Sequence, residues 1–129
     1  NASNTFHGRD VFAKATAHLE NGIKIEKLGK KTNIKAKLDF YLNGRQGEIV
    51  RIDNFGNIIT NLSSLSKNSY LIKTNKFNQK LNFYKIYDSA PLNKLFIIEG
   101  SYDTLEISLK NSSAHQKLRL KVGDRIIIQ

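Results

Sequence analysis

Apolar residues along this chain follow two different rhythms. Near the N-terminus Val11, Phe12, Ala15 and Leu19 recur at helical spacing, so that one face of a helix carries them all. Asp10 stands at the predicted start of this helix as a side-chain cap for its first amides. Glu20-Asn21-Gly22 supplies the stop, with Gly22 free to take left-handed backbone. Residues 1–9 are polar and read as irregular. Residues 23–34 are charged and lack periodicity, which marks them as a connector.

Beyond residue 34 the rhythm shortens to that of strands. Lys35–Leu42 and Gly47–Ile52 alternate or run apolar at strand length, and Asp53-Asn54-Phe55-Gly56-Asn57 is a turn before the β-branched run Ile58-Ile59-Thr60. Tyr70–Thr74 and Lys80–Tyr87 read as a pair joined around Asn75–Asn78. Leu95–Glu99, Leu105–Leu109 and Arg125–Ile128 complete the set, the last one announced by the turn dipeptide Gly123-Asp124. The stretch from Asn61 to Asn82 is rich in Asn and Lys, yet Tyr70, Leu71, Ile72 and Phe77 argue against disorder. Short strands at regular spacing predict a mainly β chain, a small antiparallel β-barrel or sandwich. One helix followed by many strands is an odd single domain. It makes sense as two parts: residues 1–34, the end of an N-terminal α/β domain with a connector, and residues 35–129, the β domain.

Composition sharpens this picture at four points. The 129 residues include no Met, so the first residue reads as a cut or processing edge, and the chain as a fragment. There is no Cys, which excludes disulfides and thiol chemistry. No apolar run approaches the roughly 20 residues of a membrane span, and no signal-peptide pattern opens the chain, so a cytoplasmic protein is expected. The balance of 21 Lys and Arg against 11 Asp and Glu, a net +10, invites a nucleic-acid reading. The basic residues cluster only locally, as in Lys24–Lys31, and there is no arginine-rich arm; solvation of a small protein is the better account of them.

Four segments carry candidate chemistry. His7 lies just before the predicted helix, where an imidazole can face a cleft and handle water near neutral pH, or simply bond to nearby backbone. Arg9 and Asp10 read as structural, while His18 and His115 read as surface residues. At the corner from Asp53 to Asn57 a carboxylate, the Phe55 ring and a carboxamide stand within five residues. These groups meet the needs of an ammonium and an adenine, but Asp53 and Asn57 also suit a turn that merely satisfies its own backbone. In Gly100-Ser101-Tyr102 the glycine permits close backbone approach and Ser101 offers a donor for a carboxylate. Glu106 alternates with Leu105 and Ile107 and so faces away from the core. Tyr87 is read at a strand end, before the only proline, as either pocket wall or core. No spacing fits a metal site, a phosphate-cradling loop or a Ser-His-Asp set.

Taken in order, Phe6-His7-Gly8-Arg9-Asp10-Val11-Phe12-Ala13, Ile52-Asp53-Asn54-Phe55-Gly56-Asn57-Ile58-Ile59-Thr60-Asn61, Gly100-Ser101-Tyr102 leading into Leu105-Glu106-Ile107, and Val122-Gly123-Asp124 resemble the S-adenosylmethionine hydroxide adenosyltransferases, relatives of fluorinases and chlorinases. The resemblance implies a C-terminal antiparallel barrel following a larger α/β domain, and homotrimers whose substrate lies between subunits. It implies hydrolysis of S-adenosylmethionine to adenosine and methionine, without a cofactor or metal. His7 would belong to an Asp-Arg-His set handling the water, with its Asp and Arg upstream. Asp53 would meet the methionine ammonium, Phe55 and Tyr87 flank the adenine, Asn57 bond its edge, and Ser101, with backbone near Tyr102, meet the carboxylate. The isolated chain is expected to bind adenosine-type ligands without catalysing. Two alternatives stand beside this: a basic barrel for single-stranded nucleic acid, and a scaffold or trimerisation module.

Overall fold

The computed structural model describes residues 2–33 and 36–129, which form two compact units, Asn1–Lys37 and Leu38–Gln129. In the first unit a π-helical turn, Gly8–Phe12, runs straight into helix α1, Ala13–Glu20. The helix therefore starts three residues earlier than its polar signal suggested, with His7 and not Asp10 at the N-cap. Asp10 lies inside it and caps nothing: its carboxylate accepts from the Ser3 amide at 2.8 Å and from the Arg9 guanidinium at 2.6 Å. That paired guanidinium, with the Ser3 amide, holds the Asp10 carboxyl below the usual range. Asn21 closes the helix and Gly22 takes φ +79°, as the stop signal required. Phe6, Val11, Phe12 and Leu19 are all exposed within this unit. The connector contains a single turn of 3-10 helix, Ile25–Lys27; Ile34 lies outside the described residues.

The second unit is a nearly closed antiparallel barrel of seven strands: β1 (Gln46–Ile52), β2 (Ile58–Ser63), β3 (Ser69–Lys73), β4 (Asn78–Asn82), β5 (Leu95–Glu99), β6 (Thr104–Leu109) and β7 (Arg125–Ile128). They lie in the order β4-β3-β7-β1-β2-β6-β5. Beyond β4, a parallel bridge from Phe83 to Ile97 on β5 draws the two edges together, and the Tyr84 amide donates to the Ile97 carbonyl at 2.9 Å. Period-two alternation delivers Ile49, Tyr70, Ile72, Ile97, Leu105, Ile107, Ile126 and Ile128 to the interior. Each such burial contributes about 1.5–3 kcal/mol.

Polar groups fix the frame around this core. Thr60 is buried and its hydroxyl donates to the Leu105 carbonyl at 2.7 Å. Arg45 donates to the carbonyls of Ile128, at 2.8 Å, and Ser63, at 2.9 Å, which ties the last strand to β2. The Tyr70 hydroxyl accepts from the Leu65 amide at 2.9 Å and lies 3.0 Å from the Ser64 hydroxyl. This explains why the Asn- and Lys-rich stretch is ordered: a buried aromatic anchors its loop.

Two strands differ from the sequence expectation. Over described residues 36–42 there is no strand; Lys35 lies outside them. Strand β1 already has β2 on one edge and β7 on the other, so no ladder position remains for it. Instead the Tyr41 carbonyl accepts from Asn61 Nδ2 at 2.8 Å and its ring lies beneath the Arg125 guanidinium, 3.6 Å from the centroid. Leu38, Phe40 and Leu42 stay exposed. The strand expected over Lys80–Tyr87 ends at Asn82, and Tyr87 opens a 3-10 turn, Tyr87–Ser89. A further element went unread: helix α2, Ala114–Leu118, capped by Ser113, whose hydroxyl accepts from the Gln116 amide at 3.1 Å. No helix among the described residues is long and apolar enough to cross a membrane.

Candidate functional site

The corner between β1 and β2 is built around one carboxylate. Asp53 Oδ1 accepts from the amides of Phe55, at 2.9 Å, and Asn57, at 2.8 Å, while Oδ2 accepts from Asn57 Nδ2 at 2.9 Å. Such an Asx-type arrangement replaces ladder bonds that a tight corner cannot make. The backbone closes twice more, from the Gly56 amide to the Asp53 carbonyl and from the Asp53 amide to the Asn57 carbonyl, both at 3.1 Å. Gly56 takes φ +83°, and a Cβ there would run into Ser113. Helix α2 thus packs directly on the corner, with the His115 amide donating to the Gly56 carbonyl at 2.9 Å. His115 is half-buried, with Nδ1 2.7 Å from the Leu120 carbonyl, so it is part of this packing and not a surface residue as expected.

This architecture leaves a pocket of about 600 Å³ between the corner, the Tyr87 turn and the start of α2, lined by Phe55, Asn57, Tyr87, Asn111, Ser112 and Ser113. Phe55 presents its ring to solvent, 80% exposed, because its backbone is spent on the turn while its side chain has nothing to pack on. Tyr87 is held at both ends. Its ring meets Phe96 edge-on, 5.5 Å between centroids, and its hydroxyl donates to the Leu109 carbonyl at 3.1 Å and accepts from the Asn111 amide at 3.2 Å. Asn57 Oδ1 is buried without a hydrogen-bond partner, an unsatisfied acceptor at the pocket wall. No lining side chain carries a charge.

The β5–β6 turn is separate from this pocket. Ser101 and Tyr102 line no part of it and are exposed, Tyr102 by 75%. The turn is closed by the Gly100 amide on the Thr104 carbonyl at 2.9 Å and the Asp103 amide on the Gly100 carbonyl at 3.1 Å, with Asp103 at φ +57°. Between turn and corner lies Glu106, on β6 opposite Ile59 of β2 and Ile98 of β5. Its carboxylate sits against Gly100, where a Cβ would collide with it. Partial burial pushes its carboxyl above the usual range, and the charge of Asp53 adds to that shift. His7 lies in the other unit, exposed at the N-cap of the first helix, with no hydrogen bond to its ring among the described residues.

Sequence reasoning named Phe55, Asn57 and Tyr87, and the structure brings these three to one pocket. It missed Asn111, Ser112 and Ser113. Their signal was present, since Asn-Ser-Ser before an apolar alanine is the composition of a helix cap, and Asn111 takes φ +56°. No group of three or more acidic or histidine side chains suited to a metal occurs among the described residues.

Residues 47–127 match the model of the SAM hydroxide adenosyltransferase C-terminal domain. The chain belongs to this family. The matched span contains every residue lining the Phe55 pocket as well as Ser101, Tyr102 and Glu106; His7 precedes it. Among its relatives is a (R)-S-adenosyl-L-methionine hydrolase of Thermus thermophilus, 36% identical over 123 residues, which cover 92% of this chain and 47% of the relative. A conserved protein of Thermotoga maritima superposes over 100% of the chain and 54% of its own, with TM-score 0.65 and 30% identity. A conserved hypothetical protein of Thermus thermophilus does so over 95% and 52%, with TM-score 0.62 and 30% identity. The chain spans about half the length of these three proteins.

Proposed function

We propose that the barrel supplies the adenosyl-binding wall of an enzyme that hydrolyses S-adenosylmethionine to adenosine and methionine. The observation that carries this is the uncharged pocket in which the exposed Phe55 ring, the anchored Tyr87 ring and the unsatisfied Asn57 Oδ1 meet. Two aromatic faces suit a purine, and a buried acceptor suits its amino edge. An uncharged lining favours a nucleoside over a phosphodiester chain, whose recognition needs cations. Ser101 and the backbone near Tyr102 hold the amino-acid carboxylate, and Asp53 lends negative charge near the ammonium.

In the reaction the water oxygen forms a bond to the ribose 5′ carbon while the carbon–sulfur bond breaks. The bonding pair passes to sulfur, which leaves as the neutral thioether of methionine. The proton lost by water is taken up by a base, the role assigned to His7 with residues of the whole protein. The sulfonium is already a good leaving group, so holding substrate and water in line supplies much of the acceleration, up to about 7–11 kcal/mol in well-oriented systems. The whole protein acts as a homotrimer, and this chain alone binds without turning over.

Adding adenosine to isotopically labelled protein tests the reading. Amide shifts are expected at Phe55, Asn57 and residues 111–113, with little dependence on salt. Shifts confined to lysines, or affinity that collapses as salt rises, would favour a nucleic-acid surface instead. Adenosine formed from S-adenosylmethionine at an enzymatic rate by this chain alone would refute its inactivity.

A further inference from the structure

Seven strands joined only by antiparallel pairs leave the two end strands of the sheet, β4 and β5, running in the same direction. The bridge that draws them together, from Phe83 to Ile97, is accordingly parallel. Away from it, toward Gln79 on one side and Asn93 on the other, the edges part around a cleft of about 440 Å³. The Thr74 amide donates to the Phe77 carbonyl at 2.7 Å and the Phe83 amide to the Asn68 carbonyl at 2.9 Å, which fixes the alternation of the β3–β4 ladder. Gln79 and Leu81 therefore turn their backbone groups to β3, and Asn78 and Lys80 turn theirs outward. No backbone hydrogen bond from Asn78 or Lys80 crosses that edge among the described residues. On the facing edge Ile97 gives its carbonyl to Tyr84, so Leu95, two residues earlier, also points its backbone at the cleft.

Charge adds a second constraint. Lys80 on β4, Lys94 just before β5 and Lys117 on α2 converge on this cleft, all exposed, and no carboxylate lines it. None of the three lysines forms an ion pair among the described residues. Lysine on an edge strand also deters stray pairing. That accounts for Lys80, but Lys94 and Lys117 lie outside β4. A phosphodiester backbone would satisfy the ammoniums, yet it carries no N–H for the exposed edge carbonyls. A peptide offers both donors and acceptors.

We propose that the cleft is a docking site for an extended acidic peptide, which enters antiparallel to both edges and pairs with the free backbone groups of Lys80 and Leu95. A strand in that orientation continues the antiparallel order from β4 to β5. Its acidic side chains meet the three lysines, and the alternate ones lie on Tyr84 and Pro91. The proposal goes beyond the adenosyl reading and does not depend on it, since the cleft and the Phe55 pocket share no lining residue.

The probes are a short peptide in which Glu alternates with Val, the same peptide N-methylated at alternate residues, its Lys-for-Glu counterpart, and oligothymidylate. Added to isotopically labelled chain, the Glu peptide should shift the amides of Asn78, Lys80 and Leu95. It should bind about tenfold or more tighter than the N-methylated form, which keeps the charge but loses the hydrogen bonds to one edge. The Lys counterpart should not bind. Lys94→Glu combined with Lys117→Glu should weaken the Glu peptide about tenfold and leave amide positions outside the cleft unchanged. Equal binding of the N-methylated peptide overturns the proposal, because charge alone would then suffice. Shifts confined to other surfaces overturn it too, as do tighter binding of oligothymidylate at these residues, full affinity in the double variant, or no binding of the Glu peptide at millimolar concentration. The wild-type comparisons decide the matter even where the double variant does not fold.

Discussion

The corner at Asp53–Asn57 and the turn at Gly100–Asp103 are both short loops between paired strands, yet they are built on opposite plans. The corner consumes its own polar groups: one carboxylate takes three donors, two backbone bonds close it, and α2 packs against Gly56. The turn has two closing bonds and little else, and leaves Ser101, Tyr102 and their amides to solvent. Buried polar groups must be satisfied, whereas exposed ones can wait for a partner. A rigid loop therefore presents Phe55 and Asn57 in fixed positions, and an open loop keeps donors available. Residue type alone would not have shown how much of the corner Asp53 holds together; its three accepted bonds do.

The contrast predicts where substitutions cost stability. Asp53→Ala strips the corner of its shared acceptor and should lower unfolding free energy by about 2–3 kcal/mol, since hydrogen bonds to charged groups are the stronger kind. Urea denaturation measures this, and a loss below the error of the method would show that the corner is held by its backbone alone. Gly56→Ala should cost on the order of 1–3 kcal/mol, from the left-handed backbone and the collision with Ser113. Pairing it with Ser113→Gly should recover the steric part of that loss.

Smaller effects are expected toward the turn. Glu106 has its carboxyl raised, so the native chain holds that proton more tightly than the unfolded one. Stability accordingly falls as pH rises from the ordinary glutamate range through the raised native value. Glu106→Gln removes that decline. The variant should be the more stable protein at about pH 7 and indistinguishable from wild type at about pH 3, where both forms are neutral. Equal midpoints at both values would mean that the carboxylate is fully solvated. Tyr102→Ala, at the exposed tip, should change stability by no more than about 0.5 kcal/mol. A larger loss would show that the turn is packed after all.

Much of the barrel was legible because its strands are short and strongly β-branched. Leu95–Glu99 and Arg125–Ile128 were read to the residue, since a short apolar run stands beside a turn signal in each, Gly100 after the first and Gly123-Asp124 before the second. Lys35–Leu42 misled because alternation reports only that a segment can pair, not that an edge is free; β1 had none left. Helix α2 was missed because five residues are too few to show a helical period. At the site, the pocket residues Phe55, Asn57 and Tyr87 were visible as residue types in suggestive turns. Ser113 and Glu106 were not. Their importance comes from what they touch, Gly56 in one case and Gly100 in the other, and contacts across strands leave no trace in local spacing.

The parallel bridge from Phe83 to Ile97 gives the barrel a zipper whose last tooth has been identified. A cylinder closed along one line by so little can breathe there without disturbing the ladders elsewhere. The Tyr84 amide, which donates across that line, becomes a natural reporter: its hydrogen-exchange rate gauges how often the cylinder parts, while amides in the β1–β2 ladder report the melting of the whole.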